Sequence, residues 1–374
     1  MPSSAPDRKF SVFILGAGFS KLAGLPLGQE LWREVLERAR DLDGRAAKLF
    51  EDLEYFFEYQ KICYGRELNF DTVDLEEFLG FLDIEHFLWL RGGDTWSQDG
   101  NESQIVIKTI LSEIICKKTP EPNNIPNIYR DFVNKLLPGD VILSFNYDCL
   151  LENALDLEGI PYRLVPSRYK EAGPVYNVCD DDRDEVVVLK LHGSINWFDK
   201  TSFINRKIYG ERVTGKNYMP QDPVFDGSRG CDLEPISDGV WGEGHPLENV
   251  FVLKNPEIIY HNPPLFLFCP LIMAPSTNKL VYFSKITEFW SGMSGFGCLN
   301  FRMALIGYSL PEHDEYARQI IYSIIRNYQM FPDDSVAEEY GGREELVMVD
   351  FITDETQETA YKKTSLLSIG IIQF

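Results

Sequence analysis

Residues 10–31 read FSVFILGAGFSKLAGLPLGQEL, and this stretch decides the fold. Phe10, Val12, Phe13, Ile14 and Leu15 form a short β-branched and aromatic run that stops at glycine, the pattern of a buried strand. Gly16-Ala17-Gly18 follows at once, and then Leu27, Leu31, Val35, Leu36 and Ala39 recur on one helical face. A strand, a glycine turn and a helix together present bare backbone N–H groups and a positive helix end to a phosphate. A side chain at Gly16 or Gly18 would hold that phosphate away. The same unit also occurs without a ligand, and this stretch alone leaves both readings open. It is not the dehydrogenase fingerprint. Lys21 stands where the third glycine belongs, and the next glycine is Gly24. The acidic residue that should end a second strand about 20 residues on is replaced by the helix carrying Trp32 and Val35.

The rest of the chain bounds what this unit belongs to. Its 374 residues suffice for one large or two ordinary domains, and 44% apolar content supports a core and argues against disorder. A net charge of −22 repels a phosphate backbone, so no direct nucleic-acid binding is expected. The start, MPSSAPDRKF, lacks secretory features, and no apolar run is long enough to span a membrane. Cys63, Cys116, Cys149, Cys179, Cys231, Cys269 and Cys298 are scattered singly, which suits a reducing compartment. No CxxC occurs, so a four-cysteine zinc module is excluded and no metal is expected. These features together read as a cytoplasmic protein.

Residues 42–137 read as helical. Ala47, Phe50, Leu53, Phe56 and Phe57 recur at helical spacing, Asp74 and Glu77 make a capping pair, and Ile105 to Cys116 gives a further apolar face. Pro126 opens a fourth helix, and Gly139 falls just past it. Strands are expected at Val141–Leu143, Val186–Leu191, Leu265–Ile272, Phe301–Ile306, Leu346–Ile352 and Leu366–Phe374, and long loops over 200–248. Trp197 reads as a pocket wall. The fold class is therefore α/β: a Rossmann-like, doubly wound parallel sheet formed by residues 1–41 and 138–374, with a helical module inserted at 42–137.

Polar residues crowd the strand ends, where open α/β sheets bind ligands. Ser144-Phe145-Asn146-Tyr147-Asp148 follows one strand, and His192-Gly193-Ser194 follows another. Asn146 offers two donors and an acceptor, suited to a water or a ribose hydroxyl, and is also an ordinary turn residue. Asp148 suits a carboxamide N–H and is also an ordinary helix cap. A lone histidine is more often structural than reactive, and an unperturbed imidazole, with a pKa of about 6.5, can accept a proton at cell pH. Gly307-Tyr308-Ser309-Leu310 ends a later strand, with Pro311 placed to open a helix.

GAGFSKLAGLP, SFNYD, KLHGS and GYSLPEHD, in that order, resemble the motifs of the Sir2 (sirtuin-like) family. The resemblance implies an NAD-binding Rossmann-type domain. It implies that Gly16, Ala17, Gly18 and Ser20 cradle the pyrophosphate, that Asn146 and Asp148 sit in the nicotinamide pocket, and that His192 is the general base. It also implies that Gly307 lets the backbone approach the nucleotide and that Ser309 hydrogen-bonds to it, nearer its adenosine side. NYDCLLENAL is more similar to the bacterial Sir2-like branch than to protein deacetylases. That branch implies an NAD glycohydrolase, with NAD as substrate and Asn146 and His192 as catalytic residues. It further implies NAD depletion in antiphage defence, triggered through homo-oligomerisation or a partner such as a HerA-type ATPase or a short Argonaute. An NAD-dependent deacylase and a non-catalytic sensor of NAD or ADP-ribose derivatives are the alternatives.

Overall fold

The apolar run at residues 10–15 is the central strand of a parallel sheet. This holds in the computed structural model, which describes residues 10–42, 44–92, 100–173, 176–180, 182–263, 268–273, 285, 287–309, 314–330 and 344–349. In chain order the elements begin with β1 (Ser11–Leu15), α1 (Ala17–Lys21) and α2 (Gly28–Arg40). Next come α3 (Ala47–Tyr64), α4 (Leu75–Phe87), α5 (Glu102–Lys118) and α6 (Asn127–Val133). The sheet resumes with β2 (Val141–Ser144), α7 (Leu150–Glu158), β3 (Tyr162–Arg163), β4 (Tyr169–Ala172), β5 (Asn177–Cys179) and β6 (Val186–Lys190). Then follow β7 (Trp197–Asp199), α8 (Thr201–Thr214), β8 (Leu233–Pro235), β9 (Val250–Leu253), α9 (Glu257–Tyr260), α10 (Thr287–Trp290) and α11 (Phe296–Leu299). The last described elements are β10 (Arg302–Ile306), α12 (Glu315–Met330) and β11 (Val347–Val349).

The main sheet has the order β11-β10-β1-β2-β6-β3, and every pairing in it is parallel. The chain moves from β1 to one side through β2 and β6, then returns to the other side with β10. The strand order thus reverses between β1 and β10, and a crevice outside the carboxyl ends of the strands is the ligand position such a reversal creates. Register sharpens this. Leu15 lies opposite both Ile306 and Ser144, and Ser144 lies opposite Lys190. The residues that follow, 16, 307, 145 and 191, therefore leave the sheet along one edge.

Alternation along the strands sends side chains to two cores. Val12, Ile14, Leu143, Leu189 and Leu305 pack against Ala317, Ile321 and Ile324 of α12. Leu15, Ile142 and Val188 pack against Trp32, Leu53, Phe78, Ile110 and Leu151 of the helices on the opposite face. With both faces covered, the strands read as continuous apolar runs, which is why they were recognisable. Helices α3–α6 share this second core with the sheet.

Asp74 caps α4, accepting from the N–H groups of Glu76 at 2.9 Å and Glu77 at 3.0 Å, while the Glu77 side chain pairs with Arg66. The long loop expected over 200–248 is corrected at both ends. Residues 201–214 form α8, and β8 pairs with β9 in a small antiparallel sheet, β7-β9-β8. Only Phe203 and Gly210 of α8 are buried, so no apolar stripe marked it. The strand expected at Leu265–Ile272 reduces, in its described part, to a single bridge between Gly193 and Ile272. Residues 274–279, Pro311 and Leu366–Phe374 lie outside the described residues. Trp197 is fully buried in β7 and stacks on Phe289 at 5.7 Å, so it belongs to the core.

Candidate active site

The backbone leaves β2 still in ladder register. Phe145 N–H donates to Leu15 O at 2.9 Å, and the chain then turns as Asn146 N–H donates to Ser144 Oγ at 3.2 Å. The turn buries three polar side chains in one directed chain. Asn146 Nδ2 donates to Ser20 Oγ at 3.2 Å, and Ser20 Oγ donates to Asp148 Oδ2 at 2.8 Å. Because the serine proton goes to the carboxylate, the serine oxygen must accept, and this fixes which way the Asn146 amide faces. Asn146 Oδ1 is then left buried with no hydrogen-bond partner. An orphaned buried acceptor is costly, and such atoms mark sites built to receive a donor. Asp148 also fills the structural role foreseen for it, since its Oδ1 accepts from Leu150 N–H at 3.0 Å at the start of α7.

Behind this turn lies Lys190, the last residue of β6 and only 1% exposed. Its Nζ is 2.8 Å from Glu152 Oε1 and donates to the Asp148 carbonyl. Burial pulls the pKa of this amine down, but Glu152, Cys149 and Asp148 outweigh that effect, and the net shift is upward. The lysine is therefore a charged strut that holds the Asn146–Asp148 turn from below.

His192 emerges beside that turn, buried, with Leu191 N–H bonded to Ser144 O at 2.8 Å. Its ring stands edge-on to Phe145 at 5.0 Å, and its Nε2 is 2.9 Å from Asp314 Oδ2. The loop is clamped from outside: Met273 N–H donates to His192 O at 2.9 Å, and Ser194 N–H donates to Leu271 O at 3.1 Å. Gly193 has φ +77°, and a Cβ there would lie 1.9 Å from Leu271 O, so glycine is required. Ser194 Oγ and Ile195 N–H both donate to Tyr147 O, which ties this loop to the previous one.

The end of β10 closes the constellation. Gly16 N–H donates to Ile306 O at 3.0 Å and Gly18 N–H to Gly307 O at 2.8 Å, so these two amides are not bare. Side chains at Gly16 or Gly18 would strike the backbone of Gly307 and Tyr308. At Gly307 (φ +60°) a Cβ would lie 2.2 Å from Phe19 N. These glycines let two turns touch across the switch point. Tyr308 stacks on Phe145 with centroids 4.5 Å apart. Burial pushes the Tyr147 and Tyr308 phenols well up, and the charges of Glu76 and Asp314 add to the shift on both. Glu76 belongs to α4, so the helical module contributes a carboxylate beside these rings. Ala17 and Ser309 are exposed.

The structure thus joins the four motif segments through Ser20, Asn146, Asp148, Phe145, His192 and Tyr308. Residues 140–222 match the SIR2-like domain. This SIR2-like segment carries Asn146, Asp148 and His192, while residues 16–20, Tyr308 and Asp314 lie outside the match and pack onto it. A search of curated proteins finds no significant match. SIR2-like domains use NAD, and the buried acceptor on Asn146 suits a ribose hydroxyl. Among the described residues, no group of three or more His, Cys, Asp or Glu could hold a metal ion. Nor is any described helix long and apolar enough to cross a membrane.

Two residues of this site escaped the sequence reading. Asp314 ends GYSLPEHD, but an acid before a helix is explained by capping, and it does accept from Ala317 N–H at 3.3 Å. Lys190 ends an otherwise apolar strand, and a charge within a fully buried run was the available signal.

Proposed function

We propose that the protein hydrolyses NAD at the nicotinamide–ribose bond, giving nicotinamide and ADP-ribose. The observation that carries this is the fixed Asn146 amide, with its unpartnered buried oxygen, in the turn whose Phe145 and Tyr147 rings flank His192. The C1′–N bond breaks with its electron pair going to the pyridinium nitrogen, so nicotinamide leaves neutral without a general acid. Water adds to C1′ and its proton passes to His192. Asn146 Oδ1 holds the water or a ribose hydroxyl. Asp148 and Asp314, with Glu76 nearby, favour the positive charge that develops on the sugar. The pyrophosphate runs along the turn at 16–20, and Ser309 faces the adenosine half.

Proton transfer by a positioned side chain contributes about 10²–10⁴-fold. His192→Ala should therefore lower nicotinamide release at least about 10²-fold, and Asn146→Ala, which loses the group that positions the water, should cost about 10²-fold as well, both with an unchanged circular dichroism spectrum. Wild-type turnover in both variants would overturn the assignment. A deacylase would release nicotinamide only with acyl-lysine peptide present, and a sensor would be stabilised by NAD without releasing it. In cells, this reading extends to NAD depletion during phage infection, switched on by self-association or a partner protein. A fall in NAD after infection that His192→Ala abolishes is the corresponding measurement.

A further inference from the structure

We propose that Asp314 is a positioning residue that holds His192 as the Nε2–H tautomer, making Nδ1 the nitrogen that takes the proton from the nucleophile. The inference deepens the hydrolase reading and rests on it for the identity of the nucleophile. Its basis is geometric. Asp314 Oδ2 lies 2.9 Å from His192 Nε2, and Asp314 is fully buried. The carboxylate cannot swing away, because its other oxygen accepts from Ala317 N–H at 3.3 Å and its carbonyl accepts from Arg318 N–H at 3.0 Å. It is thus fixed to the start of α12, an element anchored in the core by Ala317, Ile321 and Ile324. The Tyr308 phenol stands against the same carboxylate and stacks on Phe145, which meets the imidazole edge-on.

A neutral imidazole has one N–H and one lone-pair nitrogen, and a carboxylate can only accept. A carboxylate 2.9 Å from Nε2 therefore selects the tautomer with the proton there. The same carboxylate stabilises the imidazolium that forms when Nδ1 takes a second proton. Asp314 in this way ties the late segment of the chain to the base at the end of β6, which neither segment could orient alone.

Asp314→Asn separates this role from helix capping. Asparagine is as good a helix cap as aspartate, so its oxygen keeps the Ala317 contact while its amide N–H₂ faces His192. An N–H₂ there demands a lone pair on Nε2 and moves the proton to Nδ1. The protein would be labelled with ¹⁵N-histidine and its five histidines resolved by long-range ¹H–¹⁵N correlation, with His192 assigned from the spectrum of His192→Gln. The expected result is Nε2–H in the parent and Nδ1–H in Asp314→Asn, at an unchanged melting temperature. With NAD, kcat should fall about 10²-fold or more while KM stays within about threefold. A tautomer that does not move overturns the proposal whatever the activity. A tautomer that moves with kcat unchanged removes His192 Nδ1 from the reaction. A tautomer that moves in a protein that never releases nicotinamide sustains the positioning role and refutes the hydrolase reading instead.

Discussion

Ser20→Ala removes a single oxygen, yet it should disturb both binding geometry and stability. Ser20 is 1% exposed, so water does not readily replace its hydroxyl. The hydroxyl is donor to Asp148 Oδ2 and acceptor from Asn146 Nδ2 at once. A hydrogen bond to a charged group is worth about 1.5–3 kcal/mol, and an unsatisfied buried amide costs about 1–3 kcal/mol. The two terms share one atom and do not simply add, so a loss of about 2–4 kcal/mol is expected. Measured against a global stability of about 5–15 kcal/mol, the variant still folds. The functional effect is separate: without the serine oxygen nothing selects the amide face of Asn146, and Oδ1 loses its fixed direction. We expect kcat/KM for nicotinamide release to fall about 10–100-fold, equivalent to about 1.4–2.7 kcal/mol. Urea unfolding and product chromatography measure the two losses. In an Asn146→Ala background the functional effect of Ser20→Ala should nearly vanish, because the group it orients is gone. Turnover within threefold of the parent, or equal fold losses with and without Asn146, would refute the idea that Ser20 acts through that amide.

Two further perturbations test the frame around the site. Gly307→Ala places a Cβ 2.2 Å from Phe19 N and 2.3 Å from Gly18 C, both backbone, at φ +60°. The left-handed backbone alone costs about 1–2 kcal/mol for a residue with a side chain, so urea unfolding should show at least that loss together with reduced turnover. Unchanged stability would mean the two turns do not meet. Lys190→Met leaves Glu152 buried without its cation and should cost about 3–5 kcal/mol, most of it recovered by Lys190→Met with Glu152→Leu. Because the Lys190 pKa is raised on folding, the pair's contribution is complete below the unfolded value of about 10.4 and disappears as pH rises through the higher folded value. The double variant should therefore lack that component of alkaline destabilisation, and an identical alkaline limb in both proteins would show that the pair contributes none of it.

The strands that were legible share one physical feature: both of their faces are covered. β1, β2 and β6 announce themselves because a parallel sheet sandwiched between helices leaves no polar face to interrupt the run. α8 is the counter-example. Its fourteen residues bury little beyond Phe203 and Gly210, so the signal that marks a helix, a stripe of apolar residues, is not there to read. The glycines show a subtler limit. The sequence reads Gly16 and Gly18 as leaving bare N–H groups for a phosphate, but their amides donate to Ile306 O and Gly307 O, and protein backbone fills the space a side chain would take. The occupant is the backbone of Gly307 and Tyr308, nearly 300 residues away along the chain.

That distance is the general reason why motifs could be found and their joint geometry could not. Ser20 and Asp148 are 128 residues apart, and His192 and Asp314 are similarly remote, so their pairing depends on strand order and register. With Leu15 opposite both Ser144 and Ile306, and Ser144 opposite Lys190, each loop leaves the sheet at the same height. The side chains one or two residues further on must then share a small volume. A one-residue slip in any of these pairings would reverse which face every side chain of that strand occupies. It would empty the Val12–Ile14 core as surely as it would separate Asn146 from Ser20. The packing that stabilises the sheet is thus the same constraint that aligns the site. Polar residues such as Asp314 and Lys190 can be told apart from ordinary caps and surface charges only once that register is known.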